Sequence, residues 1–182
     1  NMDYITATFL LEKISKKTEI INNPTAVRNM PEKLYSINFL KLMPPTIFTK
    51  SIDEIYKFKT KYKKIVLKPT HGYGGKNILF VSKNLTKSKI INYLKKHEHV
   101  MVQKFIPEVK YGDKRVFIID GIIKGAIQRI PKEGSIVSNI GQGGKALETV
   151  LTKRETYLAK IVARALKKNK IFFAGIDLIG NY

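Results

Sequence analysis

The chain has 182 residues, room for one ordinary domain or two small ones, and its 43% hydrophobic content is enough for a core. It contains no cysteine, which excludes disulfides, thiolate metal sites and a cysteine nucleophile, and no apolar run approaches the roughly 18–20 residues of a membrane span. Lysine and arginine total 34 against 14 acids, a formal charge of +20, which favours anionic partners: nucleotide, acidic metabolite, anionic lipid or nucleic acid.

The elements follow in chain order. Asp3 to Lys17 carries Ile5, Phe9, Leu11 and Ile14 near helical spacing and is read as a helix. "TEIINNP" reads as a short strand stopped by Asn-Asn-Pro. "PEKLYSINFLKLM" starts on Pro31, a good first helical residue, and reads as one helix ended by Pro44-Pro45. "TIFT" is a strand, and "SIDE" at Ser51 to Glu54 fits a capping box opening a helix to about Tyr62. "IVLKP" and "NILFV" are strands around a glycine cluster. "TKSKIINYLKKHEH" is a helix and "VMVQKFI" a buried strand. "KRVFIIDGIIKGAIQRI" is two strands joined at Asp120-Gly121, a favoured hairpin dipeptide.

"PKEGSIVSNIGQGGKA" has no period and reads as a long glycine-rich loop. "TKRE" at Thr152 to Glu155 is a second capping-box match, opening a helix with Leu158, Ile161, Val162, Ala165 and Leu166 on one face. "IFFAGIDLIG" is a strand interrupted by one acid, and Asp177 is expected to be buried among its apolar neighbours. The fold class is α+β with largely antiparallel sheets, and a break near Phe105 to Pro107 marks the internal boundary. There is no basic-then-apolar leader, so no secretory signal is expected. "NMDYITATFL" does not read as an initiator end, and the chain is expected to be a piece of something longer. The lysines are spread over nearly every segment, which points to compositional bias with a modest anion site more than to a nucleic-acid face.

The glycine cluster in "IVLKPTHGYGGKNILFV" suggests phosphate, and the type of loop can be narrowed. A Walker loop needs G-x-x-x-x-G-K-[ST]. Gly75-Lys76 would then require glycine at position 70, which is threonine, and a hydroxyl where Asn77 stands. A dinucleotide fingerprint fails because its third glycine falls on Asn77. Both motifs lead into a helix, whereas "NILFV" reads as a strand. What remains is a hairpin tip, in which Gly72, Gly74 and Gly75 let backbone N–H groups close on an anion beside Lys68. An ordinary glycine hairpin with a solvated lysine would read the same way.

The order of "EKLYSINFLK", "PPTIFTK", "IVLKPTHGYGGKNI", "VQKFIPEVKYGDKRVFIIDG", "QRIP", "SNIGQGG" and "GIDLIG" resembles the prokaryotic glutathione synthetase family of the ATP-grasp superfamily. The resemblance implies an ATP-grasp fold: residues 1–30 as the tail of an N-terminal substrate-binding domain, 31–105 as the small lid subdomain, and 106–182 as a truncated large subdomain. It implies an ATP-dependent ligase that joins γ-glutamylcysteine to glycine through an acyl phosphate, with Mg²⁺, or Mn²⁺ in its place, in a cytoplasmic setting.

Residue by residue, it implies that Lys33 and Lys68 meet the nucleotide phosphates and that Gly72, Gly74 and Gly75 fold over them. Gln103, Lys104, Phe105 and Ile106 hold adenine, chiefly through the backbone of Lys104 and Ile106. Asp113 lies near the nucleotide, where it would bond the ribose hydroxyls. Arg115 and Arg129 face phosphate and substrate carboxylate. Asn139, Gly143 and Gly144 belong to a mobile lid. Asp177 is the first magnesium carboxylate.

Two positions depart from the family pattern: His71 stands where Asp is usual, and Val137 where the lid usually has Arg. The family's acidic E-x-N segment is expected to follow Tyr182, so the chain alone is expected to hold nucleotide weakly and not turn over. The resemblance leaves homo-oligomerisation open. Two other readings stay open: a ligase of the same superfamily that adds glutamate or another amino acid to a peptide or protein, and a non-catalytic basic nucleic-acid-binding module. For the last, Phe and Tyr fall mostly on core positions, where they could not stack on bases.

Overall fold

The computed structural model describes residues 2–72, 74–83, 86–132, 138 and 140–182. The chain divides into two compact units, Lys33–Pro107 and a second made of Asn1–Glu32 with Glu108–Tyr182. Each holds one four-stranded, wholly antiparallel sheet among its described residues.

The discontinuous unit begins with α1 (Met2–Ile14) and α2 (Pro24–Asn29). Arg28 pins them together by pairing with Glu12 at 2.9 Å and lying over the Phe9 ring. The expected strand in "TEIINNP" is absent. Asn23 caps α2 by accepting from the Ala26 N–H, and Pro24 takes the first turn. Asn-Pro serves equally as a strand stop or a helix start, because the missing proline N–H is one that a first turn leaves unbonded anyway.

The continuous unit begins within α3 (Glu32–Tyr35), at Lys33, and the helix tightens into a 3₁₀ stretch over Ser36–Leu42 with a non-helical Phe39. The single helix expected here is therefore a kinked pair of short turns. Next come β1 (Thr46–Thr49), α4 (Ile52–Tyr62), β2 (Ile65–Pro69), β3 (Leu79–Val81), α5 (Lys87–His97) and β4 (Val100–Lys104), with sheet order β1-β4-β2-β3. Ser51 caps α4, but Glu54 turns back to the Thr49 hydroxyl, so only half of the expected capping box forms. Ile55, Phe58, Ile65, Leu67, Val81, Ile90, Val100 and Val102 make the core, and burying side chains of this kind contributes about 1.5–3 kcal/mol each.

In the other unit, β5 (Asp113–Ile119) and β6 (Ile122–Ile130) form the expected hairpin. Asp120 and Gly121 have φ of 47° and 73°, which matches the twist of a two-residue turn. A short strand, β7 (Lys145–Glu148), pairs with β6 inside the segment read as loop. Its four residues are all exposed, so no alternation of burial marks it in the sequence. The helix α6 (Lys153–Lys168) starts with a complete capping box between Thr152 and Glu155, and β8 (Phe173–Leu178) closes the order β7-β6-β5-β8. The buried residues of α6 are Leu158, Ala159, Ala163 and Leu166. Ile161, Val162 and Ala165, expected on that face, lie half-buried at the edge of the stripe.

Candidate active site

In the continuous unit, the glycine hairpin leaves β2 and returns in β3. Gly74, Gly75 and Asn77 have φ of 67°, 72° and 59°, a backbone that glycine adopts without the strain a side chain would add. Tyr93 of α5 staples the two ends of this loop. Its hydroxyl lies 3.1 Å from the Leu67 carbonyl and 2.6 Å from that of Asn77, and burial pushes the phenol well above its ordinary value. Nothing in the sequence pattern singled out Tyr93, which reads as one more apolar position of a helix.

Two expected phosphate lysines are held by this unit. Lys33 donates to the Gly72 carbonyl, so it sits at the glycine loop. Lys68 donates to Gln103 Oε1 at 2.9 Å, and Gln103 Nε2 donates onward to Thr46 at 2.8 Å. Register explains the contact, since Gln103 faces Val66 and is therefore the diagonal neighbour of Lys68.

The expected adenine segment continues from β4. The Lys104 N–H donates to the Pro45 carbonyl at 2.9 Å and the Phe105 N–H to Lys64 at 3.0 Å. Proline has no N–H to return, so the ladder stops there and the Lys104 carbonyl gains no donor from residue 45. The Phe105 ring packs on Phe80 with centroids 4.6 Å apart. His71 is exposed at the start of the glycine loop.

In the other unit, strand pleating collects four charged residues on one face. Asp113 and Arg115 are two apart on β5, Arg129 lies opposite Asp113, and Asp177 lies opposite Arg115. Arg115 grips Asp177 side-on, Nε to Oδ1 and Nη2 to Oδ2, both at 2.8 Å. Arg129 grips Asp113 in the same way at 2.6 and 2.9 Å, and its Nη2 also reaches Asp177 Oδ2 at 2.8 Å. Burial disfavours the Arg129 cation, but Asp113 and Asp177 more than offset it and hold the guanidinium above its ordinary value.

The opposite face turns to α6. There Lys114 meets Glu155 at 2.8 Å. Burial pushes the Glu155 carboxyl up, and the Lys114 ammonium with the Thr152 donors outweighs it and brings the group below its usual value.

Asp177 is in the expected strand but is not buried: its side chain is 39% exposed. Ile176 and Leu178 are its neighbours along the chain, but alternation sends them to the helix face and Asp177 to the open one. Asp113, expected near the ribose, is buried with both oxygens on Arg129. Gly143 and Gly144 follow a short 3₁₀ turn over Ile140–Gln142, and Gly143 has φ of 90°. Asn139 and Val137 lie outside the described residues.

Among the described residues, no three His, Cys, Asp or Glu side chains gather where they could hold a metal ion. Both Asp177 oxygens accept guanidinium donors. Mg²⁺ asks for about six oxygen ligands. One carboxylate already neutralised by two arginines does not fit it, and no chemistry below passes through a metal.

The chain is 41% identical over 182 residues to the glutathione synthetase of Bradyrhizobium diazoefficiens, covering 98% of this chain and 58% of that protein. It is 38% identical over 185 residues to the glutathione synthetase of Rhodopseudomonas palustris, covering all of this chain and 59% of the relative. The chain thus spans a little under three fifths of the curated relatives it matches. A crystal structure of D-cycloserine synthetase matches at a TM-score of 0.74 with 17% identity, covering 98% of this chain and 66% of that one, a likeness of fold alone. The family model described as prokaryotic glutathione synthetase, ATP-grasp domain, matches residues 32–182, and the chain belongs to that family.

Proposed function

We propose that the protein to which this chain belongs is an ATP-dependent ligase that makes glutathione from γ-glutamylcysteine and glycine, releasing ADP and phosphate. A carboxylate is a poor electrophile. Its oxygen first attacks the γ-phosphorus as the bond to ADP breaks, giving an acyl phosphate. The glycine amine then attacks the acyl carbon, phosphate leaves and the nitrogen gives up a proton.

Each step gathers negative charge in one place, so the protein's task is positioning and neutralisation by fixed cations and N–H groups. In this reading Lys33, Lys68 and the Gly72, Gly74 and Gly75 loop hold phosphate. The Lys104 carbonyl and the Ile106 N–H meet adenine. Arg115 and Arg129 hold the oxyanions of phosphate and substrate carboxylate, and Asn139, Gly143 and Gly144 exclude water from the acyl phosphate. Mg²⁺, or Mn²⁺, is the cation such a ligase would take with its nucleotide; Asp177, held by Arg115 and Arg129, is not by itself a site for it. The setting we propose is cytoplasmic. Among the described residues no helix is long and apolar enough to cross a membrane.

The observation that carries the reading is the convergence of Arg115 and Arg129 on one oxygen, Asp177 Oδ2, at 2.8 Å each. Two guanidinium groups set to share an oxygen are what an incoming carboxylate or phosphoryl group requires. The test is ADP release by the complete protein with γ-glutamylcysteine and glycine, set against peptide acceptors with glutamate. Stimulation by the first pair alone is expected. Stimulation only by a peptide acceptor would make it a peptide ligase of the same superfamily.

A further inference from the structure

We propose that Asp113 is a positioning residue that acts through Arg129, aiming its guanidinium at the phosphates, and does not touch the ribose. The proposal rests on the ATP-binding reading above and names a second layer beneath it.

Asp113 and Arg129 are directly opposite partners in the β5–β6 ladder. Their bond is side-on, Nε to Oδ1 at 2.6 Å and Nη2 to Oδ2 at 2.9 Å. This two-point contact fixes the plane of the guanidinium as well as its place. The Arg129 side chain is only 8% exposed and that of Asp113 10%. A carboxylate so enclosed is tolerated because it is paired, and both of its oxygens accept from Arg129. With that edge of Arg129 anchored, Nη2 still spends a hydrogen on Asp177 Oδ2, in the open.

The backbone enforces the same alignment. Gly112 has φ of 89°, and a Cβ there would lie 1.9 Å from the Arg129 carbonyl oxygen. Only glycine lets β5 begin this close to residue 129. Glycine followed by aspartate is thus one device: the first residue permits the approach and the second orients the arginine it has approached. Exposed Asp177 could leave Arg129 for an incoming anion, whereas enclosed Asp113 stays with it.

Binding of ATP and of 2′,3′-dideoxy-ATP to the complete protein separates the two roles. For D113N, weakening of about tenfold is expected for both nucleotides, the size of a lost charge-assisted contact, so the ratio between them stays as in wild type. On an R129K background, which has already lost the fork, D113N should cost less than twofold more. D113E keeps the charge pair if D113N folds poorly, and it should also weaken both nucleotides equally by displacing the guanidinium. Loss of ribose discrimination in D113N or D113E, or a full additive penalty on R129K, would overturn the proposal while leaving the ATP reading intact. Wild type that binds neither nucleotide would overturn both.

Discussion

The two units carry their cations in different ways. In Lys33–Pro107, the flexible side chains of Lys33 and Lys68 each place one donor, on the Gly72 carbonyl and on Gln103 Oε1. In the other unit, Arg115 and Arg129 lie in side-on pairs with carboxylates. An ammonium on a flexible stem is a point charge with rotatable donors, and it can turn to a phosphate without breaking a planar two-point contact. A guanidinium in a two-point charge pair has a fixed direction and yields it only to a comparable anion. One unit therefore offers adjustable point charges beside a glycine loop, and the other offers preset forks on a rigid sheet.

Substitutions can break or sharpen that contrast. The largest effect is expected from R115M, which removes a fork wholly: kcat/KM of the complete enzyme should fall about 10³-fold, and added guanidine should rescue part of it. K68M removes a point charge that neighbouring donors can partly replace, and a fall of about 10²-fold, mostly in KM for ATP, is expected. Equal losses in R115M and K68M would erase the distinction between fork and point charge.

Y93F tests how the glycine loop is held. Losing the hydroxyl shared by the Leu67 and Asn77 carbonyls should cost about 1 kcal/mol in urea unfolding and speed amide exchange in the loop. No change in either would mean that the loop is held by other contacts.

The smallest effect concerns Glu155, behind the arginine sheet. Its folded value is depressed, so the stability it contributes is present above about 4.5, its ordinary value, and is lost as pH falls through the depressed one. The stability difference between wild type and E155Q should be about 1 kcal/mol or less near neutral pH and shrink steadily below 4.5. A difference that stays constant down to pH 3 would remove the Lys114–Glu155 pair from the account.

Elements whose cue is local were legible from residue order. Apolar spacing and Thr152–Glu155 mark α6, Asp120-Gly121 marks the hairpin, and the mismatches at Thr70 and Asn77 show that the glycine cluster is neither a Walker loop nor a dinucleotide fingerprint. Elements whose cue is ambiguous or absent were not. Asn23-Pro24 begins a helix where a strand stop was read, and β7 has four exposed residues and no alternation. The Tyr93 staple depends on where α5 lies, which helical spacing does not state.

Sequence alone determined the residue types: lysines and glycines in one segment, Asp-x-Arg, Arg and Asp in others, in an order diagnostic of the family. Which of them touch was decided by tertiary structure. Asp113 meets Arg129, and Arg115 meets Asp177, because antiparallel register sets those strand positions side by side, 16 and 62 residues apart along the chain. Exposure was decided in the same way: Asp177 is open because the pleat turns it away from the helix that covers Ile176 and Leu178. Side-chain chemistry is written residue by residue, but register and facing follow from how strands pair across long stretches of chain, and no short window of sequence contains that information.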